Sequence, residues 1–325
     1  MTILIMQPIS EPAIDWLRDQ NADLVFGYEG DGWRDRADEI RAMIFYTTRI
    51  DRELLDALPA LEVIGKRGAG IDTVDTSAVT ERGIKLTNAG VGGNASSVAE
   101  HAVTLLLAAT RFIPARDALV RQGEFRQRFD LKLVREVAKT RLGILGGGHI
   151  GRLVAELLSG GFGCKVGVHD PYLDPSVAKE FADVSFETVA QLLEWSDNVV
   201  IAAPLTTETS SMIGLQELRL LGPDGVLVVA SRGGIVDEDA LVTALRDGVI
   251  CAAGIDAFDG EPPRDDHPLF ELDNAVLTPH VAGGSAESRE RTSLVVVQQV
   301  WTLLNGGDAP LVSDQPWFDK NLARL

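Results

Sequence analysis

Residues 141–170 read RLGILGGGHIGRLVAELLSGGFGCKVGVHD, and this run decides how the rest of the chain is read. Apolar Leu142, Ile144 and Leu145 lead straight into glycines. Gly146, Gly148 and Gly151 stand at GxGxxG spacing. Ile150, Leu153, Val154, Leu157 and Leu158 then recur at helical spacing. A second apolar run, Val166 to Val168, ends at Asp170, about 20 residues past the glycines. Strand, tight turn, helix, strand and acid form the context in which such a run marks a dinucleotide site.

Each part has a physical job. Gly146 lets the chain turn sharply, Gly148 lets backbone approach a pyrophosphate, and Gly151 lets helix pack on strand. The helix start offers unpaired N–H groups and a partial positive charge to an anion. Asp170 can accept hydrogen bonds from the hydroxyls of an adenosine ribose, and its charge would repel a 2′-phosphate. His149 reads as a polar loop residue and not as a catalyst.

The same rhythm extends outward. Ile3–Met6, Leu24–Phe26, Met43–Phe45, Val63–Ile64 and Ile84–Leu86 are strand candidates, with helix candidates at 11–20, 51–58 and 75–82. After Leu142 the strands continue at Val199–Ile201, Val226–Val229, Ala252–Ile255 and Val276–Leu277. This βαβα alternation predicts parallel sheets covered on both faces. The length of 325 residues suits two domains of ordinary size.

The joint falls near 94–113. Ser97 and Glu100 have capping-box spacing at the start of an almost wholly apolar helix through Leu107. A long helix from about Ser285 to Leu304 would bring the chain back. The domains read as 1–97 plus 288–325 for substrate and 98–287 for the nucleotide. Two crossings make a hinge with a cleft. The stretch 114–140 is charged and aperiodic, either an arm on another subunit or a solvated connection.

Composition excludes some partners. A formal net charge of −18 and a pI near 4.7 argue against nucleic-acid or anionic-membrane binding. An anionic substrate would need a locally basic pocket. Cys164 and Cys251 lie in apolar strand-like contexts and read as buried free thiols of a reducing cytoplasm. No run is long enough to span a membrane, and the first residues read as a strand and not a signal peptide. No metal site is indicated. Trp16, Trp33 and Trp195 read as packing or interface residues. Trp317-Phe318 reads as a segment that could dock on a neighbouring subunit.

Further motifs follow in a dense order. They are Gly68-Ala-Gly-Ile-Asp72 with Val74-Asp75, then Asn88, Ser97-Val-Ala-Glu100-His101 and the glycine run to Asp170. Pro204-Leu-Thr-Thr-Glu-Thr209, Ala230-Ser-Arg232-Gly-Gly-Ile-Val-Asp237, Asp256-Ala-Phe-Asp-Gly-Glu261-Pro and Thr278-Pro-His280 complete it. Across roughly residues 45–290 the chain resembles the D-isomer-specific 2-hydroxyacid dehydrogenases. The resemblance implies an α/β architecture of two doubly wound parallel-sheet domains, a flavodoxin-like substrate domain and a Rossmann cofactor domain. It also implies a homodimer.

The resemblance implies roles as well. Arg232 would hold the substrate carboxylate, for which a planar guanidinium is suited. His280 would be the general acid in carbonyl reduction and the base in alcohol oxidation. Glu261 would bond the other ring nitrogen and fix the tautomer. Gly68, Ala69 and Gly70 would present backbone N–H groups to the carboxylate, with Lys66 or Arg67 adding positive field. His101, His169 and His267 read as structural or exposed. For the cofactor, NAD, the turn of Gly146, Gly148, His149, Ile150 and Gly151 would meet pyrophosphate, with Ser97 near it from the hinge side. Asp170 would hold the ribose, and Ala203, Pro204 and Thr209 would lie along the adenine side. Ala230, Ser231, Arg232, His280 and Gly283 would complete the cofactor contacts, and Asp256 would bind the nicotinamide amide.

Two departures stand out. Gly147 replaces a larger residue common in the family, and Arg-Glu-Val-Ala-Lys-Thr at 135–140 replaces the usual lead-in. No regulatory domain is recognisable after residue 305, which argues against a form that carries one. The resulting expectation is an NAD-dependent oxidoreductase interconverting a small 2-keto acid and its D-2-hydroxy acid. Within the class, the alternative is a phosphoglycerate or glyoxylate/hydroxypyruvate enzyme. From another class, it is a nucleotide-sensing protein similar to the C-terminal-binding-protein corepressors, which share this fold and a similar triad.

Overall fold

A computed structural model describes residues 1–90, 93–129 and 133–314. The chain forms two compact units, one from Met1–Ser96 with the segment from Gly283 onward, the other from Ser97–Ala282. Trp317 and Phe318 lie outside the described residues.

The first unit carries β1 (Thr2–Ile5), β2 (Asp23–Phe26), β3 (Ile40–Phe45), β4 (Val63–Lys66) and β5 (Lys85–Asn88). All pair in parallel, in the order β2-β1-β3-β4-β5. This is the flavodoxin-like doubly wound order. Alternate residues of β1 feed two cores, because successive side chains of a strand point to opposite faces. Ile3 and Ile5 pack with Ile14 and Leu17 of helix Glu11–Asp19 and with Val296 and Val300 of helix Ala286–Leu304. Leu4 packs on the other face with Leu55, Ile64 and Val79.

The second unit carries β6 (Arg141–Leu145), β7 (Lys165–His169), β8 (Val184–Ser185), β9 (Asn198–Ile201), β10 (Val226–Val229), β11 (Ala252–Ile255) and β12 (Ala275–Leu277). Their order is β12-β11-β10-β9-β6-β7-β8, again all parallel. The chain runs outward from β6 to β8, then crosses back to β9. Ligands of such sheets bind beyond the carboxyl ends of the strands at this reversal. Gly146, Asp170, Ala203, Ser231, Asp256 and His280 all follow the carboxyl end of a strand of this one sheet.

Several local expectations need correction. The first long helix runs Ala95–Thr110, so Ser97 sits inside its first turn and does not cap it. Its hydroxyl donates instead to Ala282 O at 2.8 Å. The stretch 114–140 is not wholly irregular: a helix covers Ile113–Arg121 and a 3-10 turn Phe125–Phe129. Pro114 opens that helix, where its missing N–H costs nothing. The short β8 had no sequence signal of its own. Both cysteines are free, Cys164 buried and Cys251 partly exposed. Trp33 is buried, while Trp195 packs against Phe186 with ring centroids 5.5 Å apart. Among the described residues, no helix is long and apolar enough to cross a membrane.

Candidate active site

The glycine turn joins β6 to helix His149–Phe162. Gly146 has φ +100°, and a Cβ there would lie 2.7 Å from Ala203 N, so only glycine fits this corner. A Cβ on Gly151 would lie 2.1 Å from Gly146 O. Helix and turn therefore meet backbone to backbone. A Cβ on Gly148 would meet nothing within 4 Å, so this position faces open space. His149 begins the helix and is exposed, and Ile150 is half-buried.

Asp170 is already oriented. Gly147 N–H donates to one of its carboxylate oxygens at 2.8 Å and Tyr172 N–H to the other at 2.9 Å. The residue that departs from the family pattern thus fixes the acid through its backbone. Arg152 Nε donates to Gly147 O at 2.8 Å, and Asp170 forms no ion pair among the described residues. Beyond β9, Thr209 Oγ1 donates to Pro204 O at 2.7 Å and accepts from Thr206 N–H at 2.8 Å, closing a tight loop. Ala230 is buried, and next to it the buried Ser231 Oγ has no hydrogen-bond partner among the described residues.

His280 and Glu261 meet at the ends of β12 and β11. His280 Nδ1 lies 2.6 Å from Glu261 Oε2, and Glu261 Oε1 accepts Phe258 N–H at 3.0 Å. Burial works to push the Glu261 carboxyl up. The hydrogen bond and charge of His280, the Phe258 N–H and the charge of Arg232 outweigh it and hold the carboxyl below the ordinary glutamate range. With Nδ1 committed, Nε2 of His280 is the nitrogen left for proton exchange. Arg232 Nη1 donates to Ser231 O at 2.7 Å. A Cβ on Gly233 would lie 1.9 Å from Phe258 O, so the Arg232 segment lies directly on the Glu261 loop.

The backbone of His280 is left-handed, with φ +52°. Such a conformation persists only where its surroundings over-determine it. Asp256 does much of that. It is 0 % exposed; its carboxylate accepts Thr278 Oγ1 at 2.6 Å, Val281 N–H at 2.9 Å and Ala282 N–H at 2.8 Å. Its carbonyl accepts His280 N–H at 2.8 Å. The carboxylate expected at the nicotinamide amide is here committed to the turn that carries His280. His101 joins the same network, with Nε2 2.9 Å from Thr278 Oγ1. Sequence reading missed Thr278 and His101 as members of it; the only signal is that Thr278 stands two residues before His280.

In the first unit, Asn88 Nδ2 donates to Ala69 O at 2.7 Å and holds the loop after β4. Gly68 N–H donates to Lys66 O at 2.9 Å, so it is not available to a carboxylate as expected. Lys66 is buried and donates to Tyr46 O. Arg67 stacks on the Tyr46 ring at 4.2 Å, and its Nε is buried with no hydrogen-bond partner among the described residues. Burial and the charge of Arg289 lower the Arg67 pKa, although Tyr46 opposes them. Gly283 also belongs to this unit, where a Cβ on it would lie 3.1 Å from Asn94 Nδ2.

Comparison with known proteins identifies the architecture. Residues 103–282, more than half of the chain, match the model of the D-isomer specific 2-hydroxyacid dehydrogenase, NAD binding domain. The chain belongs to that family. It is 36 % identical over 321 residues to a D-3-phosphoglycerate dehydrogenase of Archaeoglobus fulgidus, covering 94 % of this chain but only 58 % of that relative. It is 35 % identical over 302 residues to a glyoxylate reductase of Korarchaeum cryptofilum, covering 89 % and 90 %. An NADPH-dependent glyoxylate/hydroxypyruvate reductase from Sinorhizobium meliloti, solved with NADP and malonate, superposes with a TM-score of 0.82. That match has 29 % identity and covers 97 % of each chain. The turn suits the family's dinucleotide: an open Gly148, a helix start, an oriented Asp170 and an orphaned Ser231 hydroxyl.

Proposed function

We propose that the protein is an NAD-dependent oxidoreductase that interconverts a small 2-keto acid and its D-2-hydroxy acid. The observation that carries this reading is the His280–Glu261 pair with the charge of Arg232 beside it. Arg232 holds the substrate carboxylate and polarises the C2 carbonyl. In reduction, His280 donates a proton from Nε2 to the carbonyl oxygen; in oxidation, neutral Nε2 takes that proton from the hydroxyl. Glu261 fixes the tautomer and stabilises the imidazolium, the part an orienting acid plays in other histidine systems. Gly146, Gly148, His149, Ile150, Gly151, Asp170 and Ser231 would hold the dinucleotide. When bound, its nicotinamide supplies the hydride to C2 in reduction and accepts it in oxidation.

Ala69 and Gly70 are proposed as N–H donors to the carboxylate, and the first unit is assigned to substrate. A substrate with a second anion, as in the phosphoglycerate class, is favoured by one observation. Arg67 is a half-buried guanidinium with an unpartnered Nε beside Gly68-Ala69-Gly70. NADH oxidation across pyruvate, glyoxylate, hydroxypyruvate and 3-phosphohydroxypyruvate separates these readings. NADH binding with turnover of none of them would support the corepressor-like reading instead. We further assign the protein to the cytoplasm as a homodimer. The free thiols suit a reducing compartment, and the exposed Ile113, Val120, Phe125 and Leu133 suit burial against a second copy. Light scattering of the purified protein tests the dimer.

A further inference from the structure

A second histidine–glutamate pair lies behind the first. Glu238 opens helix Glu238–Arg246, but the cap of that helix is Asp237, whose side chain accepts Ala240 N–H at 3.0 Å. The Glu238 carboxylate is therefore free for other work. One oxygen accepts Asp259 N–H at 2.6 Å, and the other lies 3.0 Å from His267 Nε2. His267 Nδ1 accepts Leu269 N–H at 3.3 Å, so Nε2 carries the proton that Glu238 receives. Both side chains are nearly buried, at 13 % and 14 % exposure. The His267 ring meets Phe258 edge-on at 6.0 Å and Phe270 at 5.6 Å.

These contacts converge on the loop that presents Glu261. Asp259 N–H is held by Glu238, and the preceding N–H, of Phe258, is held by Glu261 itself. The Phe258 ring is wedged among His267 and Phe270. We propose that Glu238 and His267 are positioning residues that set this loop so that Glu261 can orient His280. The proposal rests on the reading of His280 as the proton donor. A carboxylate held off its imidazole by a few tenths of an ångström loses much of a 2.6 Å charge-assisted bond. The charges of His280 and Arg232 act on Glu261 directly. Glu238 reaches it through the loop backbone, by the N–H of Asp259.

The test is the titration of the His280 ring, followed by NMR in the intact protein and in parallel by the pH dependence of keto-acid reduction. The chain has five histidines, and the His280 signal is assigned by its loss in His280→Ala. Glu238→Ala is expected to move the titration midpoint of His280 down by about half a unit or more, because the charged ring loses its partner. It is also expected to lower kcat for reduction at neutral pH by about tenfold. Glu238→Gln keeps an acceptor for Asp259 N–H and is expected to recover most of both. In a Glu261→Gln background, Glu238→Ala should move the midpoint no further. If Glu238→Ala does not fold, His267→Gln decides, with a smaller shift in the same direction. A lowered Tm with an unmoved His280 midpoint would overturn the proposal and leave the pair a packing element. The NMR titration needs no turnover, so a wild type that reduces no keto acid sinks the functional reading separately.

Discussion

Two histidine–glutamate pairs flank one loop of the nucleotide-binding unit, and they are built for opposite ends. His280 and Glu261 are 39 % and 37 % exposed; His267 and Glu238 are 13 % and 14 %. In the buried pair both ring nitrogens are committed, Nε2 to Glu238 and Nδ1 to Leu269 N–H. Such a ring can brace a loop but has no nitrogen for a substrate. In the exposed pair, among the described residues, only Nδ1 is committed, which leaves Nε2 for chemistry. The residue types are the same. What separates the proposed proton donor from the proposed brace is the second ring nitrogen and the burial around it.

The largest losses are expected at the residues proposed to carry the chemistry. His280→Ala should cost about 10²- to 10⁴-fold in kcat for keto-acid reduction, with NADH affinity kept. Arg232→Gln should cost on the order of 3 kcal/mol in kcat/KM for a charged contact, again without much change in NADH binding. Steady-state kinetics with a fluorescence titration of NADH checks both. Near-wild-type turnover in Arg232→Gln would remove that residue as the anchor.

The two pairs should differ in what they contribute to stability. His267→Ala leaves a nearly buried carboxylate with one of its two donors gone, Asp259 N–H remaining, and empties the space beside Phe258 and Phe270. It should destabilise by about 2–3 kcal/mol in chemical denaturation. Glu261→Gln removes charge from a partly exposed pair and should stay within about 1 kcal/mol of wild type. Equal losses would erase the distinction drawn between brace and catalyst.

The nucleotide turn yields a smaller effect. Gly147 and Tyr172 N–H groups fix Asp170, and Pro171 and Tyr172 follow it where a 2′-phosphate would need a cation. NADH should be preferred over NADPH by at least about tenfold in kcat/KM, roughly 1.4 kcal/mol. The Sinorhizobium meliloti relative is NADPH-dependent, which makes this a discriminating measurement. Equal values for the two cofactors would contradict the role given to Asp170.

Much of this architecture is legible in the sequence because it is local. The glycine spacing, the apolar strands and the acid at 170 each depend on neighbours within one βαβ unit. The order of motifs then singles out Arg232, Glu261 and His280. What is not legible depends on contacts between distant segments. Ser97 has capping-box spacing, yet its hydroxyl finds Ala282 O, far along the chain. Asp256 matches a motif, but its commitment to Thr278, Val281 and Ala282 is visible only once β11 and β12 lie side by side. The charged run after residue 113 hides a helix because exposed helices need no apolar stripe. His267 looks like any loop histidine until Glu238, 29 residues away, is placed against it.

The pairing of Glu261 with His280 is tested most directly by pH–rate profiles in both directions for wild type and Glu261→Gln. Reduction needs the ring protonated and oxidation needs it neutral, so wild-type reduction should fall with rising pH while oxidation rises. Glu261→Gln removes the carboxylate that favours the protonated ring, so both limbs should move to lower pH. Reduction at neutral pH should suffer more than oxidation, because less imidazolium is available. Limbs that stay in place, or move to higher pH, would contradict the pairing on which the account rests.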